Sequence, residues 1–232
     1  MDEGLASRLH LIREELEKAS AAWGKPPKII AVSKTVPPEQ INPLAELDVC
    51  DLGENRVQEL MEKIPHLHPK FRLHLIGRLQ TNKVKYIINQ VCLIHSLDRM
   101  ELANEINLRA QKANRVMDVL VQVNVAGETQ KAGIAKEEAE RFIRECAHLP
   151  GLCVRGLMTV MPIAEDANEL RPLFRQMRQL YDALANLAIP GVYMEELSMG
   201  MSQDYMIAAQ EGATMVRIGS ALFGARGPKA TN

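Results

Sequence analysis

Apolar residues recur along this chain with two alternating periods. Leu5, Leu9, Ile12, Leu16 and Ala19 share one face of a 3.6-residue repeat, with Arg13, Glu14, Glu17 and Lys18 opposite; this predicts an amphipathic helix at the N-terminus. After a break at residues 24–27 comes Lys28-Ile29-Ile30-Ala31-Val32, a short apolar run of the kind buried on both faces of a parallel sheet. Ser33-Lys34 and the Pro37-Pro38 pair close it. Seven more short strand candidates follow at residues 49–53, 72–76, 91–95, 118–124, 154–158, 195–198 and 215–218, separated by helix-length segments. Two of those helices are strongly marked. Leu170, Leu173, Phe174, Met177, Leu180, Tyr181 and Leu184 form one stripe, with Pro172 tolerated in the first turn. The other begins at Asp98, which is expected to cap, with Glu101 completing a capping box. Leu102, Ile106, Ala110 and Ala113 should face inward there, and Glu105 and Arg109 should pair outward.

Eight strands alternating with helices predict an α/β fold: a single (β/α)8 TIM barrel over residues 1–232 with an extra N-terminal helix, an open doubly wound sheet being the alternative. The 232-residue length suits one such domain. With 28 basic and 29 acidic side chains and no basic run, a nucleic-acid partner is not expected. No stretch is long and apolar enough to span a bilayer, and the N-terminus lacks the layout of a signal peptide. Cys50, Cys92, Cys146 and Cys153 show neither CxxC spacing nor the density of a disulfide scaffold. They are expected to be reduced core thiols in a cytoplasmic protein.

In such a barrel, function sits where the strands end. Lys34 follows the first strand, Glu54-Asn55-Arg56 the second and Gly77-Arg78-Leu79-Gln80 the third. Met158-Thr159 ends the sixth, Ser198-Met199-Gly200-Met201-Ser202 the seventh and Arg217-Ile218-Gly219-Ser220 the eighth. The last two loops are the customary phosphate site of this architecture: glycines allow close backbone approach, and Ser198, Ser202 and Ser220 add hydroxyls near helix starts. Two ordinary capped turns would have the same composition. Lys34 suits an imine-forming amine beside apolar residues, although position alone also fits a solvated surface lysine. Arg217 should point into the barrel mouth, where a permanent cation needs an acceptor or a salt bridge. His66 and His68 have no third metal ligand nearby and are expected to be solvated, whereas His74 and His95 lie within strands as satisfied core or rim groups.

Three segments, Ile30-Ala31-Val32-Ser33-Lys34-Thr35, Gly53-Glu54-Asn55-Arg56-Val57-Gln58-Glu59 and His74-Leu75-Ile76-Gly77-Arg78-Leu79-Gln80-Thr81-Asn82-Lys83, resemble the pyridoxal phosphate homeostasis proteins. Gly156-Leu157-Met158-Thr159, Ser198-Met199-Gly200-Met201-Ser202 and Val216-Arg217-Ile218-Gly219-Ser220 continue the match, which runs from about residue 28 to 224. The resemblance implies a fold-type III barrel like the N-terminal domain of alanine racemase, with pyridoxal 5'-phosphate (PLP) held as a Schiff base on Lys34. It further implies Arg217 at the pyridine nitrogen, Ser198, Gly219 and Ser220 around the phosphate, and Asn55, His74, Met158 and Ser202 lining the pocket.

The expected role is intracellular PLP carriage or buffering by a monomer, with transient contact with PLP-dependent apoenzymes, rather than turnover. An arginine at the ring nitrogen disfavours its protonation and weakens the ring as an electron sink. Tyr86, Tyr181, Tyr193 and Tyr205 match no second proton carrier of a racemase. An amino-acid racemase and a cofactor-free Schiff-base aldolase or sugar-phosphate isomerase remain the alternatives. Lys83 and Lys131 are expected to be solvated surface charges.

Overall fold

The computed structural model describes residues 3–128 and 130–224. Strands β1 (Lys28–Val32), β2 (Asp51–Glu54), β3 (Arg72–Leu75), β4 (Leu93–Leu97), β5 (Met117–Asn124), β6 (Ile134–Ala135), β7 (Leu152–Met158), β8 (Val192–Met201) and β9 (Met215–Ile218) are parallel wherever they pair. Eight of them close on themselves in the order β1-β2-β3-β4-β5-β7-β8-β9, with β9 pairing back to β1. That closure selects the barrel over the open sheet. The two-residue β6, too short to leave an apolar run in the sequence, adds on beside the end of β5.

The helices are α1 (Glu3–Ala19), α2 (Pro38–Ile41), α3 (Val57–Lys63), α4 (Val84–Ile87), α5 (Met100–Lys112), α6 (Ala139–Ala147), α7 (Arg171–Asn186), α8 (Tyr205–Gln210) and α9 (Ser220–Phe223). The extra helix α1 buries Leu5, Leu9, Ile12 and Leu16 and packs against α8 and α9, where Arg8 Nε donates to the Leu222 carbonyl at 2.7 Å. Leu102, Ile106 and Ala110 of α5 are buried, and Arg109 Nε donates to Glu105 Oε1 at 2.6 Å. The expected capping box at Asp98 does not form. Arg99 takes the cap position without a side-chain bond, its guanidinium is bonded to Asp98, and Glu101 instead accepts from Thr81 Oγ1.

Side-chain alternation divides the apolar residues into two clusters. Ala31, Val119, Val121, Leu157 and Val216 join the main core between strands and helices. Their neighbours Ile30, Leu93, Leu120, Met158 and Met215 form a separate cluster within the barrel. Gly53 belongs to that interior: a Cβ there would stand 2.9 Å from both Ile30 Cγ2 and Ile76 Cδ1, so the narrow barrel needs glycine at this point. Strand β8 runs further than residues 195–198, because its first half alternates half-buried with exposed side chains and leaves no apolar run. The thiols divide as well: Cys146 and Cys153 are buried, whereas Cys50 is half-buried and Cys92 exposed. The latter two immediately precede β2 and β4, on the rim opposite the strand C-termini.

Candidate functional site

The C-terminal ends of the strands surround a cavity of about 950 Å³. Lys34 follows β1, Asn55 follows β2, Ser202 follows β8, Arg217 lies in β9, and Gly219 and Ser220 follow β9; all six line it. Val160, Met161, Pro162 and Ile163, from the loop after β7, supply an apolar wall. Convergence of a few polar groups in a largely apolar concavity is the usual form of a small-molecule site.

Lys34 is half-buried, and its amine has no hydrogen-bond or ion-pair partner among the described residues. The backbone beside it is tightly held. The Lys63 ammonium, at the end of α3, donates to the Ser33 carbonyl at 2.7 Å and to Glu54 Oε2 at 2.9 Å, and is paired with Glu59. Glu59 also accepts from the Thr35 amide, while Ser33 Oγ donates to Glu54 Oε2 at 3.1 Å. Thr35 sits at φ +61°, a left-handed conformation that such a branched residue adopts only when its surroundings impose it. The Glu54, Glu59 and Lys63 cluster thus fixes both residues flanking Lys34, leaving the amine free.

Arg217 forms the cavity floor. It is 4 % exposed, donates from Nη1 to Ser198 Oγ and from Nη2 to the Thr159 carbonyl, each at 2.7 Å, and forms no ion pair among the described residues. Burial lowers its pKa from 12.5 to about 10, against the attraction of Asp204, so the guanidinium is charged at neutral pH. A buried cation held by neutral oxygens alone is costly and calls for a further acceptor from the cavity. Asn55 Oδ1 adds a second deficit: it is the only buried side-chain oxygen or nitrogen without a partner among the described residues, where such a group costs about 1–3 kcal/mol.

Behind the floor runs a line of hydrogen bonds. Ser198 Oγ lies 3.1 Å from His95 Nδ1, His95 Nε2 lies 3.0 Å from His74 Nδ1, and His74 Nε2 lies 2.9 Å from Asp51 Oδ1. Burial, the largest single influence, works to lower the His74 pKa, but the hydrogen bonds and charges of Asp51 and Cys92 together outweigh it and raise the value to about 9. His95 is held well below its ordinary value, first by burial and then by His74 and Arg217.

At the opposite wall, Ser202 Oγ accepts from the amides of Gly219 at 3.0 Å and Ala221 at 3.3 Å, which gathers the β8 and β9 loops. Gly200 makes that approach feasible at φ +91°, where a Cβ would come within 2.5 Å of Ala208 Cβ. Backbone amides and hydroxyls of this kind suit an anion.

The structure places three of the expected site residues beneath the lining. Ser198 and Met158 are fully buried, and His74 is 3 % exposed. Ser198 faces Arg217 and His95 rather than the β8–β9 loop, because strand alternation points it into the barrel. Glu54 stands among the expected strand-end residues, but its pairing with Lys63, and any part for Lys63 or Glu59 in the site, was not legible. Lys63 carries the pattern of a solvated helix-end lysine, and only the i,i+4 spacing from Glu59 hints at their pairing. No group of three or more His, Cys, Asp or Glu is placed to hold a metal, and no helix is long and apolar enough to cross a membrane, among the described residues.

Residues 8–227 match the model of the alanine racemase N-terminal domain. The chain is 46% identical over 226 residues to the pyridoxal phosphate homeostasis protein of Aquifex aeolicus, covering 94% of this chain and 97% of that one. The structure of PipY from Synechococcus elongatus PCC7942 with PLP bound superposes with a TM-score of 0.83 at 32% identity, covering 95% of this chain and all of PipY. Alanine racemase of Clostridium difficile 630 shares the fold, with a TM-score of 0.74 at 18% identity over 98% of this chain but 58% of its own length.

Proposed function

Since the chain belongs to the alanine racemase N-terminal domain family, among the pyridoxal phosphate homeostasis proteins, we propose that it binds PLP in the Lys34–Arg217 cavity and serves to hold that cofactor and pass it on. The observation that carries this is the buried, carboxylate-free guanidinium of Arg217 in a cavity that also presents the unpartnered amine of Lys34.

The donor set fits the group. Arg217 would donate to the ring nitrogen, and the Asn55 amide would meet the ring hydroxyl. The Ser202 hydroxyl, which accepts from the amides of Gly219 and Ala221 and so keeps its own hydrogen to donate, would receive the phosphate with the Ser220 hydroxyl beside Gly219, without a charged side chain. Ser198 would act behind Arg217 as its acceptor, in place of a phosphate contact. When bound, PLP supplies an aldehyde that condenses reversibly with a lysine amine. Lys34 is the lining residue with that capacity, and the Lys63 cluster keeps its backbone in place.

Storage is favoured over turnover by what the lining lacks. Moving a proton between the two faces of an amino-acid α-carbon takes two acid–base groups. The titratable lining groups are Lys34, Glu165, Asp204 and Arg217, and none of the four tyrosines is among them. Tyr181 and Tyr205 are engaged elsewhere, with the Met194 carbonyl and Glu15. Arg217 beside the ring nitrogen also opposes its protonation. The proposed setting is cytoplasmic, the working form a monomer, and the recipients PLP-dependent apoenzymes.

Incubation with PLP should colour the protein, and borohydride should fix the cofactor on the peptide carrying Lys34 but leave Lys34→Ala unlabelled. A protein that stays colourless, or labels equally in the variant, overturns the proposal.

A further inference from the structure

The hydrogen bonds behind Arg217 cross the barrel interior through five strands. Asp51 comes from β2, His74 from β3, His95 from β4, Ser198 from β8 and Arg217 from β9. Asp51 stands at the start of β2, at the opposite end of the barrel, where it also lines a second cavity of about 260 Å³. Its other oxygen is bonded to Arg72.

Counting hydrogens leaves two arrangements of this line. With both imidazoles neutral, Arg217 donates to Ser198, Ser198 to His95 Nδ1, His95 Nε2 to His74 Nδ1, and His74 Nε2 to Asp51; every polar hydrogen has an acceptor. With one more proton, His74 donates from both nitrogens. His95 then reverses and donates from Nδ1 to Ser198, so that Ser198 receives two bonds and its own hydrogen loses its acceptor. The two states differ in net charge by one proton, and they differ in what Ser198 presents to Arg217. The charged groups facing the histidine pair are Asp51 with its partner Arg72, Arg217, and the thiol of Cys92 beside His74.

We propose that His95, acting through Ser198, is a positioning residue for Arg217, and that this line couples a proton on the histidine pair to the affinity of the cavity for an anionic ligand. The inference rests on the proposed binding site and deepens it. The protonated pair adds a positive charge behind the floor and frees Arg217 from a relayed carboxylate, so it strengthens the hold on an anion such as PLP. By linkage, the bound anion draws the proton onto the pair.

The test measures PLP dissociation constants across pH for the wild type, His74→Gln and His95→Gln, with imidazole nitrogen NMR of the wild type before and after PLP. Lys34 and the phosphate are common to all three proteins, so the wild-type profile is read against each variant. Between neutral pH and pH 9, where the free pair is half protonated, the wild type should weaken about 1.5- to 2-fold more than either variant, the part of a roughly fivefold coupling that this window exposes. His95→Gln keeps His74 and its charge, so loss of the excess dependence there shows that the effect travels through Ser198. Near pH 9, where the free pair is half protonated, PLP should also shift the His95 nitrogen signals toward the reversed tautomer, a readout that requires no variant to fold. A wild type that binds PLP near pH 9 with unmoved histidine signals, or a His95→Gln protein with the full wild-type profile, overturns the inference alone. A wild type that binds no PLP overturns the site and the inference together.

Discussion

Lys63 and Glu54 form a buried ion pair, Nζ to Oε2 2.9 Å, directly behind the turn that carries Lys34. The Glu54 side chain is 1% exposed and that of Lys63 10%. Breaking one partner of such a pair leaves an uncompensated buried charge. Lys63→Met should therefore destabilise the protein by about 3–5 kcal/mol in urea unfolding. It should also slow borohydride-trapped PLP labelling of Lys34, because the Ser33 carbonyl loses its donor.

Arg217 poses the opposite case. Its guanidinium is buried without a carboxylate partner among the described residues, so a shape-similar apolar side chain removes a desolvation cost. Arg217→Met is expected to leave the melting temperature of the unliganded protein unchanged or raised, and to weaken PLP binding at least about tenfold, the equivalent of ~1.4 kcal/mol. Calorimetry and a spectrophotometric titration check the two halves.

Stability should depend on pH through the histidine pair. The folded pKa of His74 is raised from 6.5 to about 9. Its stabilisation is present in full below 6.5 and is lost as pH rises through about 9. His95 has a depressed value, so its contribution is present above 6.5 and declines as the pH falls below it, where the unfolded chain takes up a proton that the fold refuses. Urea unfolding free energies should thus decline from near pH 6.5 toward pH 9 in the wild type. His74→Asn should flatten that alkaline slope.

Thiol labelling distinguishes the cysteines. Cys92 is exposed, whereas Cys146 is buried and its thiol is pushed up to about 12 by burial and then by Glu145. Because the thiolate is the reactive form, a disulfide reagent should modify Cys92 under native conditions and reach Cys146 only on unfolding. Peptide mapping of the labelled protein checks the order.

Much of this architecture follows from local pattern. The first strand occupies residues 28–32 as expected, because a β-rich apolar run bounded by prolines has few alternatives. The stripe from Leu170 to Leu184 forms α7, with Pro172 in its first turn. Strand ends locate Lys34, Asn55, Ser202, Arg217, Gly219 and Ser220 around one mouth, because barrel closure brings all C-terminal ends together. The tertiary structure decided what those residues rest on. His95 meets His74 across 21 positions and Ser198 across 103, contacts that no local period encodes because barrel register sets them. Lys63 has the pattern of a surface lysine and is buried only because the β1 and β2 ends meet α3. Local sequence determines which segments become strands and where they stop; partners for buried polar groups arise only when closure removes water and leaves each donor to find an acceptor within the barrel.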